Sequence, residues 1–372
     1  MSPQLLHKLT ILLAFSTITT VSFSQGKFKV SKKGKKVSTA TVYSPGPLFS
    51  SDSVLQLKIS GKMKDIYRDR KDDATFHPAM LQYANKDGNL TSIGIQLKTR
   101  GHFRKIAGNC ILPPLLININ KSSKLKNSLF QKQDQLKLIM PCLENEDYVI
   151  KEYLVYKLYN LFTPLSFNAR LVQVEFTDSV SKKKPETHYC FLLEDDKTLA
   201  KRNNYLSAIA KRATRTQVDQ DEFQLMSLFQ LMIGNTDWSI EYLHNLKMLY
   251  KDSSAKPITV PYDFDHSGIV NAPYAKPAEE LELNSVEDRY FFGNCLHAEE
   301  ATPYIKRFMA LKEKIYATYT SCTLLDAKTI KSVTNYLDEF YKLLNNPKVL
   351  EKHLSNGCGN KPRIVIKGYE NE

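Results

Sequence analysis

The pattern of apolar residues changes near residue 194, and this change constrains the fold more than any other feature of the sequence. Before it, short apolar runs alternate with polar residues, as in Leu55–Ser60 (LQLKIS), which is typical of half-buried β-strands. After it, longer apolar runs such as Glu222–Ile233 (EFQLMSLFQLMI) have the length of buried helices. The pattern therefore predicts an α+β protein with two lobes, the first rich in β-strands and the second mostly helical.

The predicted elements of the first lobe form an antiparallel sheet up to Met140, with one helix inserted after it. The helix should begin near Asn145 and end at Pro164, because proline cannot continue a helix. Two strand pairs look like hairpins, since polar turn residues join their members. The predicted strands are Leu55–Ser60, Phe76–Asn85, Thr91–Thr99, Leu115–Ile119, Leu136–Ile139, Ala169–Thr177 and Thr187–Leu193, with Met63–Arg70 as a short polar segment.

The second lobe should begin after a charged connector, Glu194–Arg202. Two short strands, Leu246–Tyr250 and Ile258–Tyr262, follow the buried helix. Helical patterns then extend over Tyr304–Thr318, Asp326–Leu344 and Lys348–Leu354. We therefore divide the chain into a signal peptide (1–25), a basic segment (26–54), a β-rich lobe (55–193), a mainly helical lobe (194–358) and a tail (359–372).

The first 25 residues have the composition of a secretory signal peptide. Lys8 is their only charged residue, and an apolar stretch from Leu9 to Phe23 follows it before small and polar residues. Cleavage after this segment predicts an exported protein, periplasmic or extracellular. No later segment approaches the roughly 18 consecutive apolar residues that span a membrane, so we expect no membrane span.

The net charge of +13, from 52 Lys+Arg and 39 Asp+Glu, fits nucleic acid, an anionic surface or a phosphorylated ligand. Export argues against a nucleic-acid partner.

The six cysteines form no CxxC motif, which argues against a structural zinc site. In an oxidising compartment disulfides are permitted, and Cys110 and Cys142 flank one predicted β unit where they can pair. Unpaired buried thiols remain the alternative.

Two polar segments interrupt the apolar pattern of the second lobe. Asn235-Thr236-Asp237 directly follows the buried helix, with Asn245 eight positions after Asp237. Asp263-Phe264-Asp265 follows an apolar strand, and two carboxylates at a strand end suit a hard cation such as Mg²⁺. Simple turns of Asn and Asp are the structural alternative for both segments. The strand pair between them should carry both to the same end of its sheet.

This order of helix, Asp and Asn loop, strand pair and second Asp is that of protein-kinase sites. It also resembles the spore-coat protein H (CotH)-like family of exported, atypical kinases with a reduced protein-kinase-like fold. The resemblance spans roughly residues 90–310. The residues that carry it are Leu97-Lys98-Thr99-Arg100-Gly101, Leu136-Lys137-Leu138, Leu193-Glu194, Asn235-Thr236-Asp237, Asn245, Asp263-Phe264-Asp265 and Gly268.

The resemblance implies a role for each matching residue. Asp237 would be the catalytic aspartate, and Asn245 and Asp263 would hold Mg or Mn, with Asp265 as a candidate second carboxylate. The cofactor would be ATP or another nucleotide, and the phosphate acceptor an unknown protein or envelope component. Kinases also need a cation for the α- and β-phosphates. Lys137 with Glu152 of the first helix fits this need, Lys98 and Arg100 are rivals, and Glu194 would face the adenine or its ribose.

Several departures from the kinase pattern keep other functions open. The sequence has no Gly-rich loop, and Asn245 follows Asp237 by eight positions where kinases use about five. A pseudokinase-like module that binds an anionic cell-envelope ligand without catalysis is therefore the main alternative. A phosphatase of the haloacid-dehalogenase type is a further one, because Asp263-x-Asp265-x-Ser267 superficially matches its nucleophile motif.

Overall fold

The computed structural model describes residues 46–119, 127–143, 145–181, 183–206, 213–252, 254–355 and 358. The predicted signal peptide, most of the basic segment and the whole predicted tail lie outside the described residues.

Seven strands in the first half of the chain form a closed barrel. Around the barrel the order is β1-β2-β3-β4-β5-β7-β6, and β6 then pairs with β1. The six other pairings are antiparallel, whereas β1 and β6 run parallel, with Leu55 opposite Val172 and Gly61 opposite Asp178. The strands are β1 Leu55–Gly61, β2 His77–Ala84, β3 Leu90–Thr99, β4 Leu115–Ile119, β5 Gln135–Ile139, β6 Ala169–Asp178 and β7 Glu186–Leu193.

The barrel is filled by one face of each strand. Alternate side chains along β1 and β4 are buried, because successive residues of a strand point to opposite sides of the sheet. Leu57, Ile59, Leu97, Ile117 and Leu136 are among the side chains that form this interior. A second hydrophobic core lies among the helices and the remaining strand pair.

The helices and the last two strands surround this second core. Helix α4 has almost no solvent-exposed side, which explains its continuous apolar sequence. Gly234 ends it in the left-handed conformation (φ +65°), as C-terminal glycines commonly do. The helices are α1 Met63–Arg68, α2 Asp147–Phe162, α3 Asp196–Arg202, α4 Gln220–Ile233, α5 Thr302–Thr320, α6 Ala327–Leu344 and α7 Pro347–Leu354, and the antiparallel strands are β8 Leu246–Leu249 and β9 Ile258–Pro261.

The predicted two-lobed, protein-kinase-like fold is wrong. The strands that we assigned to an open antiparallel sheet close into a mixed barrel, because β1 pairs in parallel with a strand more than a hundred residues later. The described residues all belong to one compact unit. Alternation along a strand indicates which face is buried but does not say which strands are neighbours, and so the closure was missed.

Smaller differences concern local structure. The polar segment Met63–Arg70 contains α1, since Met63 and Ile66 are buried on one face of it. The connector Glu194–Arg202 contains α3, whose N-terminus is capped by the carboxylate of Asp195. Among the described cysteines, Cys110 pairs with Cys142 as the sequence permitted, Cys295 pairs with Cys358, and Cys190 and Cys322 are free thiols.

No helix in the described part of the chain has both the length and the apolar character needed to cross a membrane.

Candidate functional site

Three chain segments that the sequence analysis singled out meet beside the β8–β9 pair. Asn235 forms a bridge with Ser267, and the backbone N–H of Gly268 donates to the carbonyl of Gly234 at 3.0 Å. The N–H of Tyr262, directly after β9, donates to the carbonyl of Asn245 at 3.0 Å. The end of α4, the loop before β8 and the turn after β9 therefore form one hydrogen-bonded unit.

Asp237 is held in this unit by two neighbours. His244 Nε2 donates to its Oδ1 at 2.7 Å, and the Asn245 amide donates to its Oδ2 at 3.0 Å and to its backbone carbonyl at 2.8 Å. Burial acts to raise the pKa of Asp237, but the hydrogen bond from His244, the positive charges of His244 and His266 and the Asn245 amide together lower it. The carboxylate is therefore ionised at neutral pH and fixed in orientation.

Asp263 lies in the turn after β9 with a left-handed backbone (φ +62°), and Asn245 is also left-handed (φ +52°). The Asp263 N–H donates to the hydroxyl of Tyr156 in α2 at 2.9 Å. Burial, and then the charge of Asp265, raise the pKa of Asp263 to about 6, although Arg100 and Arg104 oppose the shift. Residues in such sparsely populated backbone conformations are common at functional sites.

Phe264 anchors this turn between the two aspartates. Its fully buried ring lies 4.8 Å from the ring centre of Tyr156 and 6.1 Å from that of Phe229. A large apolar side chain fixed between two carboxylates holds the backbone in place on both sides. The turn is thus a rigid support for Asp263 and Asp265.

Asp265 is buried and already has partners. Its Oδ2 accepts a hydrogen bond from the Tyr274 hydroxyl at 2.9 Å and lies 3.7 Å from Arg104 Nη1. The sequence argument that Asp263 and Asp265 share a face relied on strand alternation, and it fails because β9 ends at Pro261 and Asp263 is left-handed. Asp263 therefore has the more available carboxylate of the two.

Glu152 of α2 is completely buried and faces Arg104 at 3.8 Å rather than the expected Lys137. Burial, and then the charge of Asp265, raise its pKa well above the usual value, and Arg104 offsets only part of this. Neither carboxylate oxygen makes a hydrogen bond of good geometry in the described part of the chain, although the backbone N–H of Phe264 is near enough to lower the pKa slightly. A buried carboxylate with unsatisfied oxygens is costly, and it indicates that the site accepts a cation, proton or water.

Three cations flank the carboxylates. Lys137 of β5 places its ammonium 4.8 Å from the ring centre of Tyr262 and 5.6 Å from that of Phe167. Burial, and then the nearby charge of Arg100, lower the pKa of Lys137 to about 7. Among the described residues no carboxylate lies within ion-pair distance of its Nζ. Lys247 of β8 lies over the same tyrosine ring at 5.4 Å and 3.8 Å from Asp196.

Two of the predicted ligand-binding residues lie apart from this cluster. Lys98 places its ammonium over the ring of Phe76, 5.4 Å from the ring centre. Glu194 is fully buried, and its carboxylate accepts hydrogen bonds from Arg202 Nε at 2.9 Å and from the backbone N–H of Asn168 at 3.0 Å. The Glu194 carboxylate therefore already has structural partners, and its role beside a nucleotide stays a prediction.

Three residues of the site were not predicted from the sequence. They are Arg104 as a partner of buried carboxylates, His244 as a partner of Asp237, and Lys247 as a cation beside Tyr262. A histidine next to Asn245 was the only signal for His244, and nothing local marks Arg104, because its partners come from α2 and from the turn after β9.

The two clearest cavities of the described surface lie elsewhere. One of about 390 Å³ is lined by Glu287, Arg289 and Glu339, and one of about 340 Å³ is lined by Lys151, Ile269 and Ser332. Neither is lined by Asp237, Asn245 or Asp263.

No protein-family model matches the chain, and no curated protein matches it significantly. The interpretation of the site therefore depends on its own residues.

Proposed function

We propose that this protein is an exported, CotH-like phosphotransferase that moves phosphate from a nucleotide such as ATP to a protein or envelope hydroxyl with the help of Mg or Mn. The observation that carries the proposal is the convergence of Asp237, Asn245 and Asp263 beside the cations Arg100, Lys137 and Lys247. The proposal rests on this site and does not depend on a kinase-like fold.

The donor set fits a hard divalent cation. Asp263 and Asn245 offer oxygen atoms, which are the ligands that Mg²⁺ and Mn²⁺ prefer. Because the Asn245 amide group donates to Asp237, its carbonyl oxygen is the atom left for a ligand. Arg104 and Arg100 offset only part of the rise in the pKa values of Glu152 and Asp263, so a bound divalent cation would favour the ionised forms of these carboxylates. A bound cation would supply charge neutralisation at the phosphate oxygens.

The remaining residues have complementary tasks. Asp237 is ionised and fixed in orientation. A group that accepts or orients the proton of an acceptor hydroxyl needs both properties. Lys137 has an ammonium without a carboxylate partner in the described residues, and it lies over an aromatic ring from which it can reach an anionic ligand. Arg100 acts electrostatically on both Lys137 and Asp263, so it lies where nucleotide phosphates and the metal would meet.

One observation favours the second candidate function, a binding module without catalysis. Both carboxylate oxygens of Asp237 already accept hydrogen bonds from His244 and Asn245, which leaves less capacity for a substrate hydroxyl. The same cluster would then hold an anionic envelope ligand through Lys137, Lys247 and Arg100. The phosphatase alternative lacks support, because Asp263 follows a strand of a two-stranded antiparallel pair and not of a parallel sheet.

Incubation of the purified chain with ATP labelled in the γ-phosphate and Mg²⁺ or Mn²⁺ tests the proposal. We expect label on the protein, located by mass spectrometry, and a rise in the melting temperature with ATP and metal. Asp237→Asn should abolish the label but keep the thermal shift, whereas Asp263→Asn should abolish both. Asp87→Asn, in the exposed turn between β2 and β3, is the matched control.

The outcomes separate the two functions. A thermal shift without any label in the parent would favour the binding module. The absence of a thermal shift with either metal would defeat the nucleotide site altogether.

A further inference from the structure

Arg104 lies in a short 3-10 turn, Phe103–Lys105, between β3 and β4, and only 7 % of its surface is exposed. Its Nη1 is 3.8 Å from Glu152 Oε2 and 3.7 Å from Asp265 Oδ2, and its Nη2 donates to the carbonyl of Met140. The guanidinium therefore bridges α2, the turn after β9 and the end of β5.

The surroundings hold Arg104 in its charged form. Burial opposes the charge, but Tyr274, Asp265 and Glu152 together raise the pKa of Arg104 above its ordinary value. The Tyr274 ring lies 6.0 Å from the guanidinium, and the hydroxyl of the same residue donates to Asp265. The same carboxylate oxygen of Asp265 thus accepts the Tyr274 hydrogen bond and pairs with Arg104.

Aromatic packing and a disulfide hold the loop that carries Arg104 in place. Phe103 packs against His266 and Tyr274, each at 5.8 Å between ring centres. The Cys110–Cys142 disulfide joins the loop to the residues just after Met140, which is the acceptor of Arg104. The position of Arg104 is therefore set by covalent and aromatic contacts as well as by its charge.

We propose that Arg104 is a positioning residue that holds the Glu152 and Asp265 carboxylates around the cation site, and that it thereby leaves Lys137 free to bind the phosphate of the ligand. The inference rests on the proposed function. In the sequence analysis Lys137 was to pair with Glu152. With Arg104 in that position, no carboxylate of the described residues lies within ion-pair distance of the lysine ammonium, although Asp196 and Asp263 act on it from farther away.

Without Arg104, two like-charged buried carboxylates would face each other without a balancing cation. Their mutual repulsion would then move them apart, and this change would weaken the binding of a divalent metal. A guanidinium reaches three acceptors at once, whereas a lysine ammonium is a single point. Arg104→Lys should therefore keep the positive charge but contact fewer of the three acceptors.

The test is the affinity of the purified chain for Mn²⁺ alone, measured by electron paramagnetic resonance of the free ion. We expect Arg104→Met to weaken Mn²⁺ binding at least tenfold and Arg104→Lys to weaken it less. Arg104→Met/Glu152→Gln should regain part of the loss, because one unbalanced carboxylate is removed. Near-ultraviolet circular dichroism checks that each variant is folded, and Arg104→Lys serves if Arg104→Met does not fold.

Arg170 is the matched control, because it is an equally buried arginine that donates to the carbonyls of Leu48 and Ser51 outside the site. Arg170→Met should lower stability but leave the Mn²⁺ affinity within twofold of the parent. If Arg104→Met and Arg104→Lys both bind Mn²⁺ like the parent, the inference is overturned while the proposed function stands. If the parent binds no Mn²⁺, both fail, and if it binds Mn²⁺ without phosphate transfer, only the catalytic proposal fails.

Discussion

Asn245 donates its side-chain amide to both the backbone carbonyl and the carboxylate of Asp237. Both partners can only accept at these atoms, so the orientation of the amide is fixed and its carbonyl oxygen points away from Asp237. A single side chain thus connects the proposed proton acceptor to the proposed metal site. The left-handed backbone of Asn245 (φ +52°) is what brings its side chain into this position.

Replacement of Asn245 should separate its two roles. Asn245→Ala loses the hydrogen bonds and also the tolerance of asparagine for a left-handed backbone, which together cost about 2–3 kcal/mol of unfolding free energy. Asn245→Gly loses the same hydrogen bonds without that backbone penalty, so it should be about 1 kcal/mol more stable than the alanine variant. Urea unfolding measures the difference, and Mn²⁺ binding should weaken in both. Equal stabilities of the two variants would contradict the strained backbone.

Removal of the Lys137 charge should stabilise the protein while it weakens nucleotide binding. The pKa of Lys137 falls to about 7 in the folded protein from 10.5, so between these values the unfolded chain holds more protons than the folded one. The unfolding free energy of the parent therefore rises with pH from about 7 to 10.5, by at most roughly 5 kcal/mol. Lys137→Met should be more stable than the parent at and below pH 7, and this advantage should shrink towards pH 10.5.

Chemical denaturation of Lys137→Met and its parent across this pH range measures the effect. Lys86→Met, in the exposed turn between β2 and β3, controls for the loss of a lysine. Its unfolding free energy should rise between pH 7 and 10.5 as that of the parent does, because Lys137 is still present. A Lys137→Met variant that is less stable than the parent at pH 7 would show that the lysine is a structural residue.

The hydroxyl of Tyr336 in α6 lies against Gly234 and Gly268, the two glycines that border the site loops. A Cβ on Gly234 would lie 1.9 Å from this oxygen, and one on Gly268 would lie 2.4 Å from it. We expect Gly234→Ala to cost more than 3 kcal/mol, because it combines this clash with a left-handed backbone (φ +65°) that itself costs about 1–2 kcal/mol for a residue with a Cβ.

Two further variants test this explanation by thermal unfolding. Gly88→Ala has a similar backbone angle (φ +79°) with no atom within 4 Å of the added Cβ, so it should show the backbone penalty alone. Gly234→Ala/Tyr336→Phe removes the nearest oxygen and should recover part of the stability. The effect of Tyr336→Phe alone is also measured. If the double variant loses as much stability as Gly234→Ala and Tyr336→Phe together, the contact with Tyr336 is not the cause.

The two disulfides should differ in what their loss does to the site. Their loops span 32 and 63 residues, so by loop entropy each contributes about 4 kcal/mol of stability. Cys110→Ser/Cys142→Ser should also weaken Mn²⁺ binding, because that disulfide fixes the loop of Arg104. Cys295→Ser/Cys358→Ser should lower the melting temperature by a comparable amount and leave metal affinity unchanged. Equal metal affinities of the two variants would show that the loop of Arg104 does not need its disulfide.

Local patterns predicted most elements of the fold. The hairpin of β2 and β3 and helix α4 were located to within a few residues, because a turn cluster and a long apolar run mark them. Helix α3 was not, since only Leu199 and Ala200 of it are buried. Closure of the barrel was out of reach, because the pairing of Leu55 with Val172 depends on contacts that leave no periodic trace in either strand.

The candidate site shows the same limit. Asp237, Asn245 and Asp263 were predicted to lie together because one short strand pair joins them in sequence. The pairing of Glu152 with Arg104 was missed because it joins residues 48 positions apart through a non-local contact. The ion pair between Glu194 and Arg202 was not predicted, because the charged connector that contains both residues does not show that it folds into a helix.

The parallel contact between β1 and β6 sets an order of events during folding. Strand β1 cannot find its second neighbour until Ala169–Asp178 has been synthesised, so for most of the time that the barrel region is being made its edge remains unpaired. Contacts this distant in sequence slow folding, and exposed strand edges invite association. A chain truncated before β6 should therefore aggregate instead of forming a smaller barrel, and the native site can form only after the whole barrel has closed.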